Sequence, residues 1–248
     1  MQRFKDKVVL ITGAASGIGR ATALRLASEG AAVFCLDLQQ QGLEETAAMV
    51  AEAGGTAKIQ RCDVTDESDV KTAVAACIAQ FGKLDHVSNI AGILRFDHFH
   101  KLQLSDFEKI ISVNTIGTFL VCRETVPELL KTQGNIVNAA STAALAGVPW
   151  NAAYSASKGA VLAMTRSLAI EYAKQGLRAN CVCPGDIVTP MTSPTFPDGV
   201  DMSLIQRCMS LTGRRGPEAV AGVIALLASE DGQHMTGEDI RMDGGTLS

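Results

Sequence analysis

The sequence predicts one doubly wound α/β domain, with a central, mostly parallel seven-stranded sheet and helices on both faces. Two observations carry this. Short apolar runs alternate with amphipathic segments from one end of the 248 residues to the other. Those runs are continuously apolar rather than alternating, as strands covered on both faces are. No internal repeat, low-complexity tract or linker-like shift divides the chain, so residues 1–248 are read as a single domain.

Val8 to Ile11 reads as the first strand. A glycine-rich turn follows, then a helical pattern at Ile18, Ala21, Leu24, Leu26 and Ala27 that Gly30 ends. Ala32 to Leu36 is the second strand, with a helix after it through about Ala53, and the third strand lies near Ala57 to Cys62. A helix from Glu67 to Phe81 leads to a fourth strand, Leu84 to Ile90. A long helical segment then runs from about Ser105 to Lys131, where Pro127 is expected to kink it or end its regular part. Asn135 to Ala140 is the fifth strand, Ala153 to Gln175 another long helix, Leu177 to Cys183 the sixth strand and Ile240 to Met242 a short seventh. Gly185 to about Ser203, holding Pro190, Pro194, Pro197 and Gly199, is the least regular region. It reads either as a surface excursion or as a mobile substrate loop, over about 185–212, above a site at the strand ends.

The chain is 47% hydrophobic and 19% charged, with a formal net charge of −4. Scattered Lys and Arg give no electrostatic footprint for nucleic acid or an anionic membrane. Seven cysteines, mostly inside apolar runs, read as a reduced interior. The segment Met1 to Lys7 is polar and the apolar run after it too short for an export signal, so a cytoplasmic location is expected. From Thr132 to Ser157 no residue is charged, but Gly134, Gly147, Pro149 and several polar side chains interrupt the stretch and argue against a membrane span. His98 and His100 lack a ligand partner at metal-binding spacing, and Cys181 and Cys183 read as core, so no metal is expected. Met191, Met202 and Met209 fit either an adaptable apolar pocket or helix packing.

Between the first strand and first helix stands Thr12-Gly-Ala-Ala-Ser-Gly-Ile-Gly19. Its glycines permit a tight turn and a close approach of backbone to a pyrophosphate, and the helix N-terminus offers free N–H groups and a positive dipole end. Asp37, closing the second strand, can accept from both ribose hydroxyls of an adenosine and would repel a 2′-phosphate, while Leu38 and Ser16 offer no cation. The expected cofactor is therefore NAD. Further on, Tyr154 and Lys158 share a helix face at i, i+4 spacing. A cation beside a phenol favours the phenolate and lowers its pKa, which makes the pair a candidate acid/base centre.

With these motifs on record, the whole chain resembles the short-chain dehydrogenase/reductase family. The glycine loop, with Gly13, Ser16, Gly17, Ile18 and Gly19, is similar to that family's cofactor loop, and Asp63-Val64 to its adenine-contacting pair. Asn89-Ile-Ala-Gly92, containing Ala91, is similar to the segment ending its fourth strand. Asn114, Ser141, Tyr154 and Lys158 match its catalytic tetrad, and Pro184-Gly185 with Ile187 and Thr189 its nicotinamide-side turn. The tail Gly237 to Gly245 also fits. Ile90 stands where the family usually has a second Asn, a change expected to affect strand packing, and Asp186 after the Pro-Gly pair is unusual.

The resemblance implies a Rossmann-type fold and interconversion of a secondary alcohol and a ketone by hydride transfer. In that scheme Tyr154 exchanges the proton and Ser141 hydrogen-bonds the substrate oxygen. Lys158 holds the nicotinamide ribose and lowers the Tyr154 pKa, and Asn114 anchors a proton-relay water. It also implies a homotetramer. Two alternatives stand beside this reading: a 3-oxoacyl-[acyl-carrier-protein] reductase-like enzyme, and a cofactor-binding regulatory protein without turnover.

Overall fold

A computed structural model describes residues 2–192 and 195–248. Seven strands form one sheet: β1 (Val8–Thr12), β2 (Ala32–Asp37), β3 (Thr56–Arg61), β4 (His86–Asn89), β5 (Asn135–Ala139), β6 (Arg178–Pro184) and β7 (Asp239–Met242). Their order is β3-β2-β1-β4-β5-β6-β7, and every neighbouring pair is parallel. The helices are α1 (Gly17–Ser28), α2 (Gln40–Glu52), α3 (Glu67–Phe81), α4 (Leu104–Ile111), α5 (Gly117–Thr132), α6 (Ala152–Tyr172), α7 (Ser203–Gln206) and α8 (Glu218–Ala228). Among the described residues, no helix is long and apolar enough to cross a membrane.

The alternation of Cβ directions along a strand explains why β1 is apolar at every position. Val8 and Leu10 enter one core with Phe34, Leu36, Val70 and Leu120. Val9 and Ile11 enter the core on the opposite face with Leu26, Val33, Cys35 and Leu43. Helix ends follow local chemistry. The Asp66 carboxylate accepts from the backbone N–H groups of Ser68 and Asp69 to cap α3, which ends at Gly82 in a left-handed conformation (φ 77°).

Two readings change. The segment expected as one helix from Ser105 to Lys131 is α4, a π-helical turn over Ser112–Ile116, and α5. Pro127 lies inside α5 rather than at its break; the irregularity surrounds Asn114. The second change is α8, which the sequence reading passed over. Its Val220, Ile224 and Leu227 are buried against Val137 and Val182 of the sheet, so a nearly all-round apolar helix lacks the polar stripe that marks an amphipathic one. Cys181 and Cys183, read as core from the sequence, share a small buried cluster with Ala140, Val161 and Leu162.

The irregular region after β6 has a tethered base. The Arg214 Nε donates to Asp186 Oδ1 at 2.7 Å, and the Val188 N–H donates to the Arg215 carbonyl at 2.8 Å. A turn at Pro190–Thr192 and the short α7 are its regular parts, while Ser193 and Pro194 lie outside the described residues.

Candidate active site

Between the parallel strands β1 and β4 the strand order reverses, and at their carboxyl ends a crevice opens, the usual ligand position in a doubly wound sheet. The cleft there encloses about 290 Å³. Its walls include Gly13, Ser16, Gly17, Ile18, Gly19, Asp37, Leu38, Asp63, Val64, Ala91, Gly92, Ser141, Tyr154, Lys158, Pro184, Gly185, Ile187 and Thr189. Of the residues named from sequence, Asn89 and Asn114 stand behind this wall. Gln39, Cys62, Ile90, Ile93, Val113, Ala139, Ala140, Pro190 and Met191 also line it. Of these, Ile90 and Met191 had been singled out for other reasons; the rest are apolar or neutral neighbours with no motif signal.

The cradle is built for close approach. Gly13 adopts φ +69°, and a Cβ there would lie 2.8 Å from the Ala91 nitrogen. A Cβ on Gly19 would collide with the Gly13 carbonyl oxygen. Ser16, preceding α1, gives no side-chain cap bond, so the N–H groups of the first turn keep their capacity for an anion. The Thr12 hydroxyl accepts from the N–H groups of Ile90 and Ala91 at 3.1 and 3.2 Å, tying the loop after β4 to the end of β1. These features fit a dinucleotide pyrophosphate.

At the end of β2, Asp37 Oδ2 accepts from the Ala15 N–H at 3.1 Å and Oδ1 from the Gln39 N–H at 3.0 Å. The carboxylate is thus aimed by the two backbone segments that frame it. Arg20 is occupied by the Thr46 hydroxyl, the Glu45 carboxylate and the carbonyls of Ala15 and Gly42. On the far side, Asp63 Oδ1 accepts from the Thr65 backbone and hydroxyl at 2.9 and 2.7 Å, which fixes the turn after β3.

Ser141 stands two residues beyond β5, at the start of a short turn, and its hydroxyl accepts from the Ala143 N–H at 3.1 Å. Burial raises the Tyr154 pKa above the ordinary tyrosine value of 10.0, and a hydrogen bond with Ser141 partly offsets this. Lys158 is buried, and its Nζ donates to the Ala139 carbonyl at 2.6 Å. Burial lowers its pKa to about 8, against a smaller upward pull from Cys181 and Cys183. Burial of the phenol thus acts against the lowering expected from Lys158, whose ammonium donates to a backbone carbonyl.

Asn114 sits fully buried in the π-helical turn. Its Oδ1 accepts from the Ile93 N–H at 2.8 Å, and its Nδ2 donates to the Ile93 carbonyl and the Ser157 hydroxyl, each at 3.0 Å. This clamps the loop after β4 against α6, the helix carrying Tyr154 and Lys158. Asn89 works beneath the floor, where its Nδ2 donates to Asn138 Oδ1 at 2.8 Å. Ile90, in place of the usual Asn, packs against the apolar cores on both sides of it. Asp186 is paired with Arg214. His98 turns to the Asp198 carbonyl at 3.0 Å, and among the described residues no three His, Cys, Asp or Glu side chains are grouped to hold a metal ion.

Comparison with known proteins agrees with this geometry. The family described as Enoyl-(Acyl carrier protein) reductase matches residues 13–246. The chain is 40% identical over 249 residues to 2-(R)-hydroxypropyl-CoM dehydrogenase of Xanthobacter autotrophicus, covering 96% of this chain and 98% of the relative. It is 37% identical over 244 residues to 2,5-dichloro-2,5-cyclohexadiene-1,4-diol dehydrogenase of Sphingobium indicum, covering 98% and 97%. A crystal structure of 3-ketoacyl-(acyl-carrier-protein) reductase from Brucella melitensis, complexed with NADH, superposes with a TM-score of 0.90 at 32% identity, covering 99% of this chain and 100% of that one. The chain belongs to the short-chain dehydrogenase/reductase family, and is an oxidoreductase of the alcohol–ketone class.

Proposed function

We propose that the protein is an NAD-dependent oxidoreductase that interconverts a secondary alcohol and its ketone. The observation that carries this reading is the convergence of Ser141, Tyr154 and Lys158 on the cleft that also holds the glycine cradle and the Asp37 carboxylate. Gly13, Gly17, Ile18 and Gly19 would hold the pyrophosphate, Asp37 the adenosine ribose hydroxyls, Asp63 and Val64 the adenine, and Lys158 with Ile187 and Thr189 the nicotinamide half. When bound, NAD(H) accepts or supplies the hydride.

Tyr154 then moves the proton at the substrate oxygen. Its neutral phenol, favoured by burial, is in the form needed to donate to a ketone that becomes an alcohol. In the other direction the phenolate must form first, so alcohol oxidation rises with pH. Ser141 hydrogen-bonds the same oxygen, and its own contact with the Ala143 N–H keeps the hydroxyl oriented. Lys158 holds positive charge below about pH 8 beside the ribose position. Asn114 is a positioning residue that fixes Ile93 and Ser157 around the pair.

NAD rather than NADP is favoured because the cleft places the neutral Leu38 and Gln39 beside Asp37, and Arg20 is already engaged by Glu45. A 3-oxoacyl thioester reductase is the second reading, supported by the likeness to the Brucella reductase complexed with NADH. Initial rates with NAD(H) and NADP(H), on a panel of secondary alcohols, ketones and a 3-oxoacyl thioester, test both. A cofactor preference for NADP(H), or absence of any redox turnover, would overturn the proposal.

A further inference from the structure

Beside the reaction cleft lies a second, wider opening, continuous with it along Ser16, Gln39, Gly92, Ile93, Pro190 and Met191, which line both. Three loops meet around it. Phe96, from the loop after β4, lies against Phe196 of the excursion after β6 with ring centres 4.8 Å apart and planes at 50°. Trp150, from the loop before α6, meets Phe196 edge-on at 6.3 Å and 79°. Backbone contacts stitch the same loops: the Asp97 N–H donates to the Trp150 carbonyl at 2.8 Å, and the His98 ring meets the Asp198 carbonyl. Trp150 has φ +57°, an unfavourable conformation for a bulky residue, and stands four positions before Tyr154.

The charge at this opening is equally specific. Among the described residues lining it, Arg95 is the one cation. Its guanidinium lies 3.0 Å from Asp106 and 3.6 Å from Asp97, so one positive charge faces two negative ones. A carboxylate, sulfonate or phosphate on a substrate tail would have to displace one of these partners and would meet net negative charge. Ring carbons, by contrast, find the faces and edges of Phe96 and Phe196.

We propose that Phe96 and Phe196, braced by Trp150, are specificity-determining residues that select an uncharged cyclic secondary alcohol or ketone. The inference rests on the oxidoreductase reading of the adjoining site and adds the substrate class to it. The rings bind the body of the substrate while its oxygen reaches Tyr154, and the Arg95 cluster turns away anionic tails.

The test compares kcat/KM for cyclohexanol, 2-butanol and 3-hydroxybutyrate in the wild type and in Phe96→Ala, Phe96→Leu, Phe196→Ala and Phe196→Leu. The expected result is preference for cyclohexanol over both acyclic alcohols. The ratio of cyclohexanol to 2-butanol should fall about tenfold or more in the alanine variants and less in the leucine variants. A preference for 3-hydroxybutyrate, or a ratio unchanged by the alanine variants, would overturn it. A second readout does not need turnover, because Trp150 is the single tryptophan of the chain. Cyclohexanone added to the NADH-loaded protein should change its emission saturably in the wild type and more weakly bound in Phe196→Ala. If no alcohol is oxidised but this change appears, the redox reading fails and the ring site stands. If alcohols are oxidised and cyclohexanone leaves the emission unchanged, the ring site fails and the redox reading stands; if neither signal appears, both fall.

Discussion

The Lys158 ammonium lies 5.6 Å from the centre of the Tyr154 ring while one of its N–H groups donates to the Ala139 carbonyl. The charge is thus stored beside the phenol, in a place where burial brings its pKa down to about 8. Below that pH the ammonium can donate to a ribose hydroxyl, and above it the charge is lost. NADH affinity should therefore weaken as pH rises from 7 to 9 in the wild type. Lys158→Met should bind more weakly at pH 7 and show a flat profile, as read by fluorescence titration; a wild-type affinity constant over this range would contradict the role.

Removing the phenolic hydroxyl tests proton transfer separately. Tyr154→Phe should lower turnover by about a thousandfold, within the usual contribution of a positioned acid/base group, while NADH still binds. Because burial raises the Tyr154 pKa, wild-type oxidation should keep increasing with pH rather than reach a plateau near neutrality. Single-turnover rates across pH would show this.

On the proposed NAD reading, Asp37 would supply negative charge where a 2′-phosphate would sit. Two like charges about 4 Å apart at the partly solvated rim repel by a few kcal/mol. Asp37→Ala should therefore shift the NAD-to-NADP ratio of kcat/KM toward NADP by roughly a hundredfold, the factor that about 2.7 kcal/mol represents. Its loss also frees the Ala15 and Gln39 N–H groups, so NAD itself should bind less well.

A buried group away from the cleft governs acid stability. His86 Nδ1 and Nε2 lie 2.6 Å from Asn135 Oδ1 and Ser88 Oγ. Burial pushes its pKa from 6.5 to about 4, a shift that the Asn135 bond and Asp85 oppose and Arg178 reinforces. The unfolded chain takes up this proton below 6.5, whereas the folded protein stays neutral down to about 4. Stability from this site is present above 6.5 and lost as pH falls through that window, by at most about 1.4 kcal/mol per pH unit. Urea midpoints should follow that slope in the wild type and a shallower one in His86→Gln, which starts from a lower stability.

The inner strands such as β1 and β2 were legible because a sheet covered on both faces writes itself as unbroken apolar runs, whereas the edge strands β3 and β7 carry charged and polar residues. The cradle was legible because Gly13 and Gly19 have no alternative to being glycine. Three features were not. The π-helical turn depends on how α4 and α5 meet α6, which no local pattern around Asn114 records. The α8 helix hides its period because it is apolar almost all round, with Leu226 apolar although exposed. The Lys158 ammonium donates to the Ala139 carbonyl, a backbone partner invisible to side-chain spacing.

That turn around Asn114 has a further consequence for insertions and deletions. A π-turn holds one residue more than the helix around it needs. Deleting one residue within Ser112–Ile116 would let the segment from Leu104 to Thr132 close into a continuous α-helix. The parts before and after the deletion would keep nearly the same relation, because the surplus residue is the one removed, but the wide turn that aims Asn114 would be gone. The clamp on Ile93 and Ser157 would then lose its geometry without a single side chain being changed in kind, so the length of this segment is as constrained as its identity.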